Sequence, residues 1–237
     1  EAIVDLLEDG EALPVWARRQ AEILRAREEL FLGRDLQAAA RLSELTSDAD
    51  APHELEVIMD QIWAALHMHQ IHEASLTHTR AEQLLEESKS SWFEIRLNLL
   101  GALIEHEQNG FAASMERFNR AVSEADEAGM KRQALEAIVW RMHRCAERGE
   151  EGSEILAHNL LERTTSAWTI TGRALATALI AGSSQNLEEA RRSECLVSLP
   201  GPVHLRKNTL NRLMDIGAIF DVEMHRRCHR LVQAVSA

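Results

Sequence analysis

What this chain lacks narrows it first. Its 237 residues include no tyrosine, four prolines and three cysteines, and only three of its 26 basic residues are lysine. Aromatic and β-branched residues are sparse beside abundant Ala, Leu, Glu and Arg, which excludes a strand-rich fold and favours helices throughout. The cysteines, Cys145, Cys195 and Cys228, are odd in number and irregular in spacing. That argues against a disulfide framework and for a reducing cytosol. No apolar run approaches the ~20 residues needed to cross a bilayer, and no signal peptide is expected. The net charge of −12 excludes a basic stripe for phosphate contact as the main activity. Charge is uneven: residues 203–237 carry a local +3, leaving −15 elsewhere. Catalytic signatures are missing too. There is no phosphate loop, no Gly-x-Ser-x-Gly and no Cys-x-x-Cys, and Ile104-Glu105-His106-Glu107 lacks the second histidine of a zincin. Neither enzymatic activity nor a cofactor is expected.

What is present is a repeat. Leu24, Ile62, Leu100, Ile138, Leu175 and Leu213 follow one another at steps of 38, 38, 38, 37 and 38 residues. A second row, Leu66, Ile104, Met142 and Leu179, lies one helical turn later and fails at Glu28 and Gly217. A third, Ala21, Met59, Leu97, Leu135 and Leu210, is broken by Gly172. Stacked helical hairpins produce such a period, because one hairpin cannot bury its apolar face alone.

Periodicity and breakers predict helices over Pro14–Leu32, Asp35–Thr46, Pro52–Leu66, Glu73–Ser88 and from Ser91 to Asn109-Gly110. A helix with Phe111, Met115, Phe118, Val122 and Ala125 on one face follows, then Lys131–Arg148, Ser153–Thr164, Ile170–Ala181, Leu187–Leu199, Val203–Phe220 and Val222–Val235. Pro200-Gly201-Pro202 is the strongest breaker, a weak candidate boundary at 200–202. The register continues across it, so residues 1–237 read as one array. The chain opens at Glu1 inside a helical pattern, as a segment of a larger polypeptide would.

The third repeat resembles a tetratricopeptide repeat. Gly101 aligns with that family's small residue, Leu97, Leu100 and Ile104 with its large apolar positions, and Ser114, Phe118 and Ala121 with its small–aromatic–small pattern. The period departs from the family's ~34 residues, Trp63 replaces Gly101 one repeat earlier, and the closing proline is absent. Across residues 13–165, and in Asn109-Gly110-Phe111-Ala112-Ala113 above all, the chain is similar to the helical domains of bacterial transcription regulators of the MalT and LuxR-related type. The resemblance implies an all-α solenoid, a right-handed superhelix of about six antiparallel hairpins that binds proteins or peptides.

In tetratricopeptide arrays the first helix of each pair lines the concave groove. Carried over, this implies that Asn98, Ala102 and Glu105 face a partner. Shifts of 38 residues extend the set to Asp60, Ala64 and His67, to Glu136, Trp140 and His143, and to Glu22, Ala26 and Glu29. Such a groove would be acidic, through Glu22, Asp60, Glu105 and Glu136, and suited to a basic or amine-bearing segment. Trp140 would supply an aromatic floor.

Histidine is the one residue type that suggests other chemistry. His67, His69, His72 and His78 lie close in sequence, but His67 and His69 point about 200° apart on a helix, and His69 extends an apolar stripe. His225 and His229 flank a stripe of Met224, Cys228, Leu231 and Val235. No metal ligand set is assigned. The readings set against a binding scaffold are a metal-dependent enzyme using these histidines and a homodimer packed through the last helix pair.

Overall fold

The computed structural model describes residues 14–45, 51–88, 90–150, 152–163, 170–199 and 201–236, which contain helices and no strand. The helices are α1 (Val15–Phe31), α2 (Asp35–Leu45), α3 (Ala51–His67), α4 (Ile71–Ser88), α5 (Ser91–Glu127) and α6 (Lys131–Arg148). They continue as α7 (Gly152–Arg163), α8 (Ile170–Ser184), α9 (Leu187–Val197), α10 (Val203–Phe220) and α11 (Val222–Ser236). Thr46, Thr164 and Pro200 lie outside the described residues. No described helix is long and apolar enough to cross a membrane.

Gly110 interrupts α5 at φ 80° and ψ 179°, so the break expected at Asn109-Gly110 is present. Two compact units divide beside it, between Gln108 and Asn109. Residues on both sides of Gly201-Pro202 belong to the second unit.

In the first unit α1 packs on α2 and α3, α2 on α3, and α3 on α4. Ile23, Ala26, Leu30, Ala38, Leu42, Val57 and Ala64 form one cluster. Leu24, which opens the 38-residue row, is 41% exposed, whereas its neighbour Ile23 is fully buried. The register slips by one residue because α1 meets its neighbours along Ile23, Ala26 and Leu30, at three- and four-residue steps. The other members of the row, Ile62, Leu100, Ile138, Leu175 and Leu213, are each at most 2% exposed.

His69 does not extend the stripe of α3. It is exposed at φ 58°, in the turn to α4. Gly33, Gly149 and Gln185 take the same left-handed conformation after α1, α6 and α8, which closes each helix in the usual way.

In the second unit α6, α8 and α10 contact one another, as do consecutive helices from α6 to α11. Two failures of the apolar rows are explained here. A Cβ on Gly172 would stand 2.5 Å from Val139 Cγ2, and one on Gly217 would stand 2.7 Å from the backbone nitrogen of His225. Both positions dispense with a side chain because another helix passes too close. Asn186 caps α9 by accepting hydrogen bonds from the backbone N–H groups of Glu188 and Glu189. Met115 also departs from expectation, being 39% exposed. The buried face beyond Gly110 runs through Ser114, Phe118, Ala121, Val122 and Ala125.

Two outcomes test this packing. Gly172→Ala should lower the unfolding free energy by about 1–3 kcal/mol through overpacking against Val139, measured by urea denaturation; an unchanged midpoint would contradict the close approach. Burial pushes the Cys145 thiol up to about 12 and the Cys228 thiol up to about 11, while Cys195 is exposed. Thiolate is the reactive form, so iodoacetamide at mildly alkaline pH should modify Cys195 alone in folded protein and all three thiols after denaturation, read by mass spectrometry.

Candidate functional site

The positions implied to face a partner fall into two sets, each within one unit. In the first, Glu22 pairs with Arg25 at 3.1 Å and with Arg41, which also pairs with Glu29 at 2.8 Å. Asp60 is 3% exposed. Arg27 of α1 donates through Nε to its Oδ2 at 2.7 Å and through Nη2 to Glu56 at 2.8 Å, and Arg96 of α5 stands 3.8 Å from Oδ1. Burial holds the Asp60 carboxyl above the usual range, and the two guanidiniums oppose that shift without cancelling it. Ala64 is part of the α1–α3 core. His67 lies 3.1 Å from Asp35 through Nδ1. Ala102 is buried, Glu105 half-buried and Asn98 exposed.

In the second unit Glu136 is exposed and paired with Arg132 at 2.8 Å. Trp140 and His143 are buried, at 7% and 3% exposure, because α10 covers this face of α6. Asn208 Nδ2 donates to His143 Nδ1 at 2.9 Å, and Arg212 donates to the Ala146 carbonyl. With Nδ1 accepting, the neutral imidazole carries its proton on Nε2, 3.5 Å from Glu147. Glu22, Asp60 and Glu136 thus each carry an arginine of the chain itself, and Trp140 is buried with its ring 5.6 Å from that of His143. His78 Nε2 meets the Leu97 carbonyl at 3.0 Å and His225 Nδ1 the Met214 carbonyl at 2.9 Å, whereas His69, His72 and His229 are exposed.

A different recess opens in the second unit. Arg141 of α6 is fully buried. Its guanidinium lies over the rings of Phe111 and Phe118, 4.6 and 4.2 Å from their centroids. Nη2 donates to the Phe111 carbonyl at 2.8 Å and to Ser114 Oγ at 3.1 Å, while Nε has no hydrogen-bond partner. No carboxylate pairs with it among the described residues, and burial pulls its pKa down to about 10, so it remains a cation at neutral pH. Ser114 donates in turn to the Gly110 carbonyl at 2.9 Å. Arg141 therefore ties α6 to the first turn after the break and fixes Phe118 by its face.

Phe118, Val122, Ile138 and Leu156, none more than 7% exposed, floor a cleft of about 240 Å³ between α5 and α7. Its rim is Asn119, Ser123 and Asp126 on α5, at steps of four and three residues, and Asn159 and Arg163 on α7, four apart. Asp126 and Arg163 form an ion pair across it. The side-chain amides of Asn119 and Asn159 are exposed and have no hydrogen-bond partner among the described residues. With its floor side chains almost wholly covered, the cleft presents chiefly the polar groups of its rim. The sequence signals only the floor, through the α5 stripe and the 38-residue row; the rim residues lie on faces that look solvated in one dimension.

Compared with protein-family models, curated proteins and solved structures, the chain matches none.

Arg141→Ala should lower the unfolding free energy by about 3–5 kcal/mol, combining a large cavity with orphaned acceptors at Phe111 and Ser114. Chemical denaturation measures it, and a loss below about 1 kcal/mol would mean that the guanidinium does not hold α5.

Proposed function

We propose that this chain is a helical scaffold that binds segments of other proteins, with the α5–α7 cleft as its contact site. The observation that carries the reading is the pair of amides, Asn119 and Asn159, on the two walls of the cleft, without a hydrogen-bond partner among the described residues. By contrast, the acids implied to line the groove carry the chain's own arginines. The contacts among α6, α8 and α10 are compatible with hairpins stacked on a period near 38 residues as a right-handed superhelix. The further role, as the interaction segment of a bacterial transcription regulator in the cytoplasm, rests on the resemblance of residues 13–165 alone.

Selection of a displayed random-peptide library on the immobilised chain tests the proposal. Enrichment should yield peptides whose binding weakens about tenfold or more, over 1.4 kcal/mol, in Ser123→Trp, which places an indole at the cleft rim from an exposed position. No enrichment, or peptides indifferent to that variant, would contradict it.

A further inference from the structure

We infer that Asn109 is a site of spontaneous covalent modification, where the Gly110 backbone nitrogen closes on the Asn109 side chain and leaves a carboxylate. This site owes nothing to the scaffold reading; it follows from the backbone at the break in α5.

The chemistry needs an amide side chain, a following backbone nitrogen uncrowded by a Cβ, and freedom for the two to meet. The Gly110 nitrogen loses its proton to solvent base and attacks Cγ of Asn109. A new Cγ–N bond forms, the bond from Cγ to the side-chain nitrogen breaks, and that nitrogen takes a proton from solvent and leaves as ammonia. Water then opens the cyclic imide at either carbonyl. One opening gives aspartate; the other gives isoaspartate, with the main chain rerouted through Cβ and Cγ. Water is the only co-reactant.

The other asparagines are poorly placed for this closure. Asn98, Asn119, Asn159, Asn186, Asn208 and Asn211 precede Leu, Arg, Leu, Leu, Thr and Arg. A side chain there crowds the attacking nitrogen, whereas glycine has none. All but Asn186 lie inside helices, where ψ near about −42° holds Cγ away from the next nitrogen. Asn186 uses its side-chain oxygen to cap α9. Asn109, by contrast, stands directly before Gly110, which leaves helical backbone at φ 80° and ψ 179°. Ring closure therefore asks a single residue beside an existing break to turn. Its side chain is exposed and has no hydrogen-bond partner among the described residues. Beside Gly110 the space is open, with no atom beyond its immediate chain surroundings within 4 Å of where a Cβ would stand. Ser114 donates to the Gly110 carbonyl at 2.9 Å and Arg141 to the Phe111 carbonyl at 2.8 Å, so the far side of the break stays anchored as the ring closes and opens.

The full chain, folded, is incubated at mildly alkaline pH until a parallel sample in guanidinium chloride has converted at residue 109. Tryptic mass mapping then follows the peptide over residues 97–117, with fragmentation to place the change. In the folded chain this peptide should gain the mass of water less ammonia at Asn109 and split into two chromatographic products. Asn109 should convert about tenfold faster than any other asparagine, or more. Asn109→Gln, whose closure would need a larger ring, should abolish the change at an unchanged melting temperature because the position is exposed. A folded chain still intact at Asn109 at that time would show that the helix holds the residue and would overturn the inference. Conversion at Asn109 no faster than at Asn98 would overturn it as well.

Discussion

A buried arginine, with no carboxylate paired to it among the described residues, joins α6 to the stretch of α5 beyond Gly110. Arg141 stacks on Phe111 and Phe118 and donates to the Phe111 carbonyl and Ser114. The aromatic faces and the carbonyl oxygen supply negative potential at the guanidinium, and the Glu150 carboxylate adds to it. The consequences run outward. Gly110 can break α5 because Arg141 and Ser114 engage the backbone on the far side of the break. Phe118 is pinned by its ring, and with Ile138 from the same helix as Arg141 it becomes the floor of the cleft.

Close approach is the second constraint, and it decides which faces remain free. Gly172 lets α8 come against Val139 of α6, and Gly217 lets α11 come against α10. With α6, α8 and α10 in mutual contact, the face of α6 that carries His143 is met by Asn208 and Arg212. In the first unit the comparable face is taken up by arginine–carboxylate pairs around Asp60 and Glu22. Pairs to a buried carboxylate such as Asp60 add little net stability but are costly to break singly, so those to Arg27 and Arg96 fix the packing of α1, α3 and α5 more than they strengthen it.

Helix positions were legible in the sequence because periodicity and breakers act locally. Lys131–Arg148 and Val203–Phe220 are read residue for residue. Burial along the 38-residue row was legible for the same reason, apart from Leu24, where the helix turns a neighbouring residue inward. Met115 and His69 misled because an apolar stripe does not reveal where a helix ends or which shoulder of the stripe meets a neighbour. Gly172 and Gly217 looked like lapses in the pattern and are packing positions; only the distance to another helix distinguishes the two. Trp140 and His143 looked available because the sequence does not show that α10 lies over α6. The cleft rim was illegible for the same reason, since Asn119 and Asn159 are 40 residues apart and acquire meaning only when α5 and α7 flank Ile138.

The central claim is that the surface this chain offers a partner is the α5–α7 cleft, while its inner faces are occupied from within. A crystal structure of the chain with the tightest library-selected peptide tests it most directly. The account predicts the peptide along the α5–α7 cleft, in contact with Asn119, Ser123 and Asn159 at its rim. A peptide lying instead along α6, α8 and α10, with Asn208 displaced from His143, would contradict it.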